Sequence, residues 1–240
     1  MRYKIGHFQN SISALELKER TLYQNTLILG EDGSGKTHLA NKIRHYVMEN
    51  NIPTLYIDFS DPSIEKIEEK FKDSDTFFYL RFEESDEFEA ALDKAIEERR
   101  NIYMAANPSF FANKRNVKSK LSRMIQKHEL LDNYYYFFHE IESLNGFYTK
   151  FEDFLYYIFD LVNVKKYGFT FLAQPNEIFE DSRIKLLFTF LYLGRCSNAH
   201  YYNTSVLRSL KTNTFYYQYR MDNRSLLFNQ IQSDVAIIDA

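Results

Sequence analysis

At 240 residues, with 45% hydrophobic and 26% charged side chains, the chain has enough apolar mass for one well-buried α/β domain or at most two small ones, and its composition excludes a disordered polymer. A net charge of −3 excludes coating nucleic acid through overall charge, although a local basic groove remains open to it. No window reaches the roughly 18 uninterrupted apolar residues of a membrane span, so no membrane insertion is expected.

The first 25 residues read as an N-terminal lead-in with one short helix, because Ser13 and Glu16 make a capping-box pair around Leu15 and Leu17. Thr26–Leu29 is a short apolar strand. It is followed by Gly30, four residues, then Gly35-Lys36-Thr37, which is the G-x-x-x-x-G-K-[ST] pattern of a phosphate-binding loop. Three of the seven glycines, Gly30, Gly33 and Gly35, fall in this loop. They let the backbone N–H groups turn inward around an anion, and the next helix offers its unsatisfied N-terminal donors to the same anion. The phosphate cradle is expected from Gly30, Glu31, Asp32, Gly33, Ser34, Gly35, Lys36, Thr37 and His38. Lys36 would reach the β- and γ-phosphates of ATP, and the Thr37 hydroxyl would bind Mg²⁺.

The helix from Lys36 to about Glu49 carries Leu39, Ile43, Tyr46 and Val47 at helical spacing, and Asn50, Asn51 and Pro53 end it. Thr54–Phe59 is an apolar run of the kind buried in a parallel sheet, and it delivers Asp58 to the carboxyl edge where α/β sheets place ligands. Asp61-Pro62 opens a helix to about Phe71; Phe77–Phe82 is a strand, Asp86–Arg99 an amphipathic helix, and Ile102–Ala106 a strand stopped by Asn107-Pro108. Lys114–Lys127 is the most basic segment, a helix whose charges line the side opposite Leu121, Met124, Ile125 and His128. A solvated face is the plain interpretation, and a phosphate-backbone contact the functional one.

Tyr134–Phe138 is a strong strand ending in His139-Glu140. Thr149 and Glu152 cap a helix to about Val162, Gly168–Ala173 is a strand that delivers Gln174-Pro175, and the apolar stretch Ile184–Leu193 ends in Gly194-Arg195. A short helix at Val206–Leu210 precedes two strands, Thr214–Met221 and Ser225–Ile231, joined as a β-hairpin through Asp222-Asn223. The expected architecture is α/β, a largely parallel central sheet with helices on both faces and a C-terminal β-hairpin, organised as a lead-in (1–25) and one P-loop domain (26–240). The 19 Tyr and 22 Phe are read as core and strand filling. The single Cys196 excludes an internal disulfide and, with no apolar signal-peptide core near the N-terminus, points to a cytoplasmic protein. The six histidines show no metal-ligand spacing with it.

Hydrolysis needs more than a phosphate loop: a carboxylate on the metal side and a group that orients or deprotonates water. Glu140, after an apolar strand, is the candidate general base. The position before it is normally an Asp holding a metal-bound water; here it is His139, and a neutral imidazole accepts a hydrogen bond but brings no negative charge. Asp58 is the candidate to take over that metal-side role.

With Gly30–Thr37, Ile57-Asp58, His139-Glu140 and the terminal Gln174 of Phe-Leu-Ala-Gln-Pro in place, the chain resembles the FtsK–HerA group of DNA-pumping ATPases, which are RecA-like P-loop proteins and include conjugative coupling and viral genome-packaging ATPases. The resemblance spans about residues 24–230. It implies an ATP- and Mg²⁺-dependent DNA translocase working as a ring homo-oligomer, a hexamer, with a capsid or transfer-channel protein as a further partner. It also implies that Gln174 senses the γ-phosphate and that Arg195, with Arg183 as second candidate, reaches a neighbouring subunit's site. Gly33–Ala40 and His139-Glu140-Ile141 are similar, more weakly, to AAA+ initiators of the DnaA type, whose sensor strands end in Ser, Thr or Asn and whose cores carry a helical lid. A nucleotide-binding scaffold with weak hydrolysis is the third reading, motivated by His139.

Overall fold

A computed structural model of the chain describes residues 3–9, 13–60, 77–82, 85–106, 117–127, 129–147, 151–180, 182–197, 204–220 and 231–239. The chain divides into two compact units, Met1–Tyr46 with Phe169–Ala240, and Val47–Gly168.

The first unit holds strands β1 (Tyr3–Phe8), β2 (Ala14–Leu17) and β3 (Thr26–Leu29). It also holds β8 (Phe169–Ala173), β9 (Phe190–Leu193), β10 (Thr214–Arg220) and β11 (Ile231–Ile238). Their order is β2-β1-β11-β10-β9-β3-β8. β3 lies between two parallel partners, with Leu29 opposite both Ala173 and Leu193. The other pairings, from β9 through β10, β11 and β1 to β2, are antiparallel. Every residue of β3, β8 and β9 is buried. That is why these strands read as continuous apolar runs rather than alternating ones.

The second unit holds β4 (Thr54–Asp58), β5 (Phe77–Arg81), β6 (Asn101–Ala105) and β7 (Tyr135–His139) in the order β7-β4-β6-β5, all parallel. At the start of these strands the Asn101 side chain accepts from the Thr54 N–H at 3.0 Å and its hydroxyl at 3.2 Å, fixing register. The aromatic excess does fill core: Tyr134 to Phe138 are all essentially inaccessible. Tyr79, Tyr103, Tyr56 and Phe137 stack across successive strands with ring centroids 6.2, 5.2 and 5.6 Å apart. Such pairs contribute about 0.5–1.5 kcal/mol each beyond their buried area.

The helices follow their periodicity. Lys36–Glu49 buries Leu39, Ile43, Tyr46 and Val47 completely, and Asn51 ends its turn at φ 58. Asp86–Glu97 starts at Ser85, whose side chain accepts from the Phe88 N–H at 3.1 Å, and buries Phe88, Leu92 and Ile96. Val117–Lys127 buries Leu121, Met124 and Ile125. Phe151–Asn163 buries its apolar stripe. Ile184–Leu193 resolves into a one-turn helix, Ser182–Lys185, and β9.

Two expectations need correction. Residues 13–17 do not form a helix: Ala14–Leu17 is β2, with Glu16 opposite Lys4 of β1. The buried residues there, Leu15 and Leu17, have a period of two, and cross-strand pairing outweighs a local capping signal that would satisfy only two donors. The strand pairing with β10 runs over Ile231–Ile238 rather than ending at Ile231. The antiparallel C-terminal pair itself is present. The helix from Asp61, the stop at Asn107-Pro108, Lys114, Arg115, His128, the Thr149 cap and the Asp222-Asn223 turn lie outside the described residues.

Candidate functional site

The loop between β3 and the helix Lys36–Glu49 is built around two left-handed glycines, Gly33 at φ 71 and Gly35 at φ 99. At Gly35 the need is also steric, since a Cβ there would stand 2.2 Å from the Asn213 side-chain oxygen and 2.9 Å from its backbone nitrogen. Asn213, itself at φ 60, donates its N–H to the Ser34 carbonyl at 2.9 Å and accepts the Ile238 N–H at the same distance. The turn before β10 therefore braces the loop from behind. Ser34 is fully buried beside Gly30 and Gly194.

Lys36 is only 5% exposed and curls back over the loop, donating to the carbonyls of Gly30 at 2.7 Å and Glu31 at 3.2 Å. The first intrahelical bond runs from the Leu39 N–H to the Gly35 carbonyl. Thr37 and His38 accordingly have no intrahelical acceptor for their N–H groups, the arrangement that makes a helix start attractive to anions. Positive-φ glycines, an inward lysine and a helix start fit a phosphate chain. Thr37 is exposed at the first turn, where its hydroxyl is available to a phosphate-bound Mg²⁺. His38 is partly buried, with Nε2 2.8 Å from the Asp239 carbonyl oxygen.

Three side chains flank the loop, those of Gln174, Arg195 and Ser197. Gln174, one residue beyond β8, donates through Nε2 to Asp32 Oδ1 at 3.2 Å. Asp32 Oδ1 is also 3.8 Å from Lys36 Nζ. Arg195, just beyond β9, donates to the Asp32 carbonyl at 3.4 Å, and its Nε is 4.0 Å from Glu31 Oε2. Ser197 donates both its N–H and its hydroxyl to Glu31 Oε1. These Ser197 bonds, with Arg195 and Lys36 adding to them against partial burial, hold the Glu31 carboxyl below its usual range. Arg195 thus lies against the loop of its own chain, while Arg183 is an exposed residue of the turn Ser182–Lys185.

The second unit carries its own polar cluster at the carboxyl ends of β4, β6 and β7. Asp58 faces His139 across the strand pair, with Oδ1 3.1 Å from His139 Nδ1. The same oxygen accepts the Ser60 N–H at 2.9 Å, and Oδ2 accepts the Tyr103 hydroxyl. Asp58 is 5% exposed. Burial opposes its charge, but the His139 bond and charge, then Tyr103 and Ser60, outweigh that and hold its pKa below the ordinary value. Burial likewise opposes a charged His139, and Asp58, followed by Glu140 and Glu142, outweighs it, so the imidazole pKa is raised. Burial, then the Asp58 charge and bond, push Tyr103 strongly up, keeping it a donor. The Asp58 carboxylate thus favours the protonated form of the His139 imidazole. Glu140 follows β7 at φ 53, an uncommon conformation for a glutamate, with Oε1 3.9 Å from His139 Nε2. Among the described residues no three His, Cys, Asp or Glu side chains gather as a metal site.

Within the first unit the structure brings together the loop Gly30–His38, Gln174 and Arg195; within the second it brings together Asp58, His139 and Glu140. Asn213, Ser197 and Tyr103 were not singled out from sequence. Only Asn213 left a signal: it follows Lys211-Thr212 just ahead of a strand, where an Asn tolerates left-handed backbone.

No family model matches the sequence, and no curated protein matches it. Solved structures do. The cytoplasmic domain of the type VII secretion ATPase EccC from Thermomonospora curvata is 12% identical with a TM-score of 0.52, over 99% of this chain and 26% of that one. The KaiC-like protein PH0186 from Pyrococcus horikoshii OT3 is 10% identical with a TM-score of 0.50, over 100% and 99%. The chain thus spans about a quarter of the EccC structure and nearly all of the KaiC-like one. These likenesses establish the fold, a RecA-like P-loop α/β fold with a mostly parallel sheet, as expected from sequence.

Proposed function

We propose that the chain is an ATPase that binds Mg²⁺-ATP at Gly30–His38. The observation that carries this is the inward Lys36, only 5% exposed and held over a loop whose Gly33 and Gly35 are left-handed. ATP at 100 times its dissociation constant should stabilise the protein by about 2.7 kcal/mol, several degrees in Tm for this size. The shift should vanish in Lys36→Ala, and its absence from the unaltered protein ends the proposal.

The finer reading is a ring homo-oligomer that uses ATP to move DNA, for packaging or transfer, with Glu140 as general base, Gln174 as γ-phosphate sensor and Arg195 acting on the neighbouring subunit. Its support is the FtsK–HerA resemblance. Light scattering should then give a ring mass, and double-stranded DNA should raise the ATPase rate, with Glu140→Gln abolishing turnover but not binding. A mixture of Lys36→Ala and Arg195→Ala subunits should recover activity if the arginine acts between subunits. A second reading, nucleotide binding with weak hydrolysis, is favoured by one observation: both oxygens of Asp58, the expected metal-side carboxylate, already accept hydrogen bonds. ATP binding without turnover, with or without DNA, would select it.

A further inference from the structure

The groups that a terminal phosphate would meet are turned toward oxygens of the loop itself. Lys36 Nζ lies on two loop carbonyls and 3.8 Å from Asp32 Oδ1, and Gln174 Nε2 donates to that same Oδ1 at 3.2 Å. Arg195 reaches the Asp32 carbonyl at 3.4 Å. One carboxylate oxygen thus stands between a lysine ammonium and a glutamine amide, as an oxygen of a phosphate would. Asp32 is nevertheless 84% exposed, so packing does not force it there.

We propose that Asp32 is a built-in competitor for the terminal phosphate and sets the preference between nucleoside tri- and diphosphates, a role that rests on nucleotide binding at the loop. A γ-phosphate approaching Gln174 and Lys36 must displace the carboxylate or sit beside it. The two negative charges would then be separated by less than the Debye length of about 8 Å at physiological salt. A diphosphate, whose last phosphate is the one cradled by the loop amides, asks less of Asp32. The loop therefore discriminates against ATP relative to ADP more than its uncharged equivalent would. Solvent exposure keeps the effect modest, comparable to an exposed ion pair.

The test compares the affinities of ATP and ADP, in Mg²⁺, for the unaltered protein, Asp32→Asn and Asp32→Ala, with Lys36→Ala as reference. Both Asp32 variants remove the charge, so both should raise the ATP-to-ADP affinity ratio roughly two- to fivefold, the factor equivalent to an exposed ion pair. The gain should shrink at high salt, and Gln174→Ala should reduce it, since the amide then no longer exchanges one oxygen for another. An unchanged ratio, or an equal loss for both nucleotides, overturns the role of Asp32 while leaving nucleotide binding intact. Failure of the unaltered protein to bind either nucleotide removes both proposals.

Discussion

The two polar clusters sit at equivalent places, each at the carboxyl ends of parallel strands within its own unit, yet they are built in opposite ways. Around the phosphate loop the framework is backbone, and two of the charged groups are loosely held: Asp32 is 84% exposed, and the Arg195–Glu31 contact is 4.0 Å. Around Asp58 the carboxylate is 5% exposed and both its oxygens accept bonds from partners on neighbouring strands or the next turn. Exposed charges exchange partners at little cost, whereas a buried charge has its partners fixed. The first cluster can exchange the partners of its exposed charges, and the second holds its carboxylate in place.

Breaking the buried pair should therefore have the largest effect. His139→Ala removes the charged partner of a buried carboxylate and should destabilise the protein by about 3–5 kcal/mol, seen as a drop in denaturation midpoint without nucleotide. The pH profile of unaltered stability carries the same signature. Asp58, with its pKa lowered from 3.8, contributes stability that is complete above that value and is lost as pH falls through its lower folded value. His139, raised from 6.5, contributes stability that is complete below 6.5 and is lost as pH rises through its higher folded value. The pair should thus stabilise most between these limits, and in His139→Ala the alkaline loss should disappear.

Tyr103→Phe removes one donor to a buried charge and should cost about 1.5–3 kcal/mol, measured by the same midpoint. A smaller loss would mean that Asp58 is less dependent on fixed partners than its burial implies. At the phosphate loop the contrast predicts the smallest effect: Ser197→Ala removes one exposed bond to Glu31 and should change stability by no more than about 0.5 kcal/mol. A cost equal to that of Tyr103→Phe would erase the distinction between the clusters.

Much of this was legible because its signals are local. Gly30 to Thr37 is a contiguous motif with a steric rationale, and the parallel strands announce themselves as unbroken apolar runs. Other features depend on pairing that no window contains. Leu15 and Leu17 belong to a strand because β1 lies beside them, and Ile231–Ile238 because β10 does. The position of Asp58 at a strand tip points, in the sequence, to a metal-side acid. That Tyr103 and His139 would claim its oxygens follows from a register set by Asn101 and by the β4–β7 pairing. Arg195 was read by analogy as reaching outward, and its contact with its own loop depends on where β9 ends relative to β3.

The bracing of the loop by Asn213 and Asp239 also bears on how the polypeptide is made. Contacts at the loop join residues 142 to 201 positions apart, from Asp32–Gln174 to His38–Asp239. Val47–Gly168 must leave the ribosome before any of them can form. That middle segment contains the four adjacent parallel strands β7, β4, β6 and β5, which can pair during translation. The loop must wait, because its long-range contacts can close only after synthesis has passed β11.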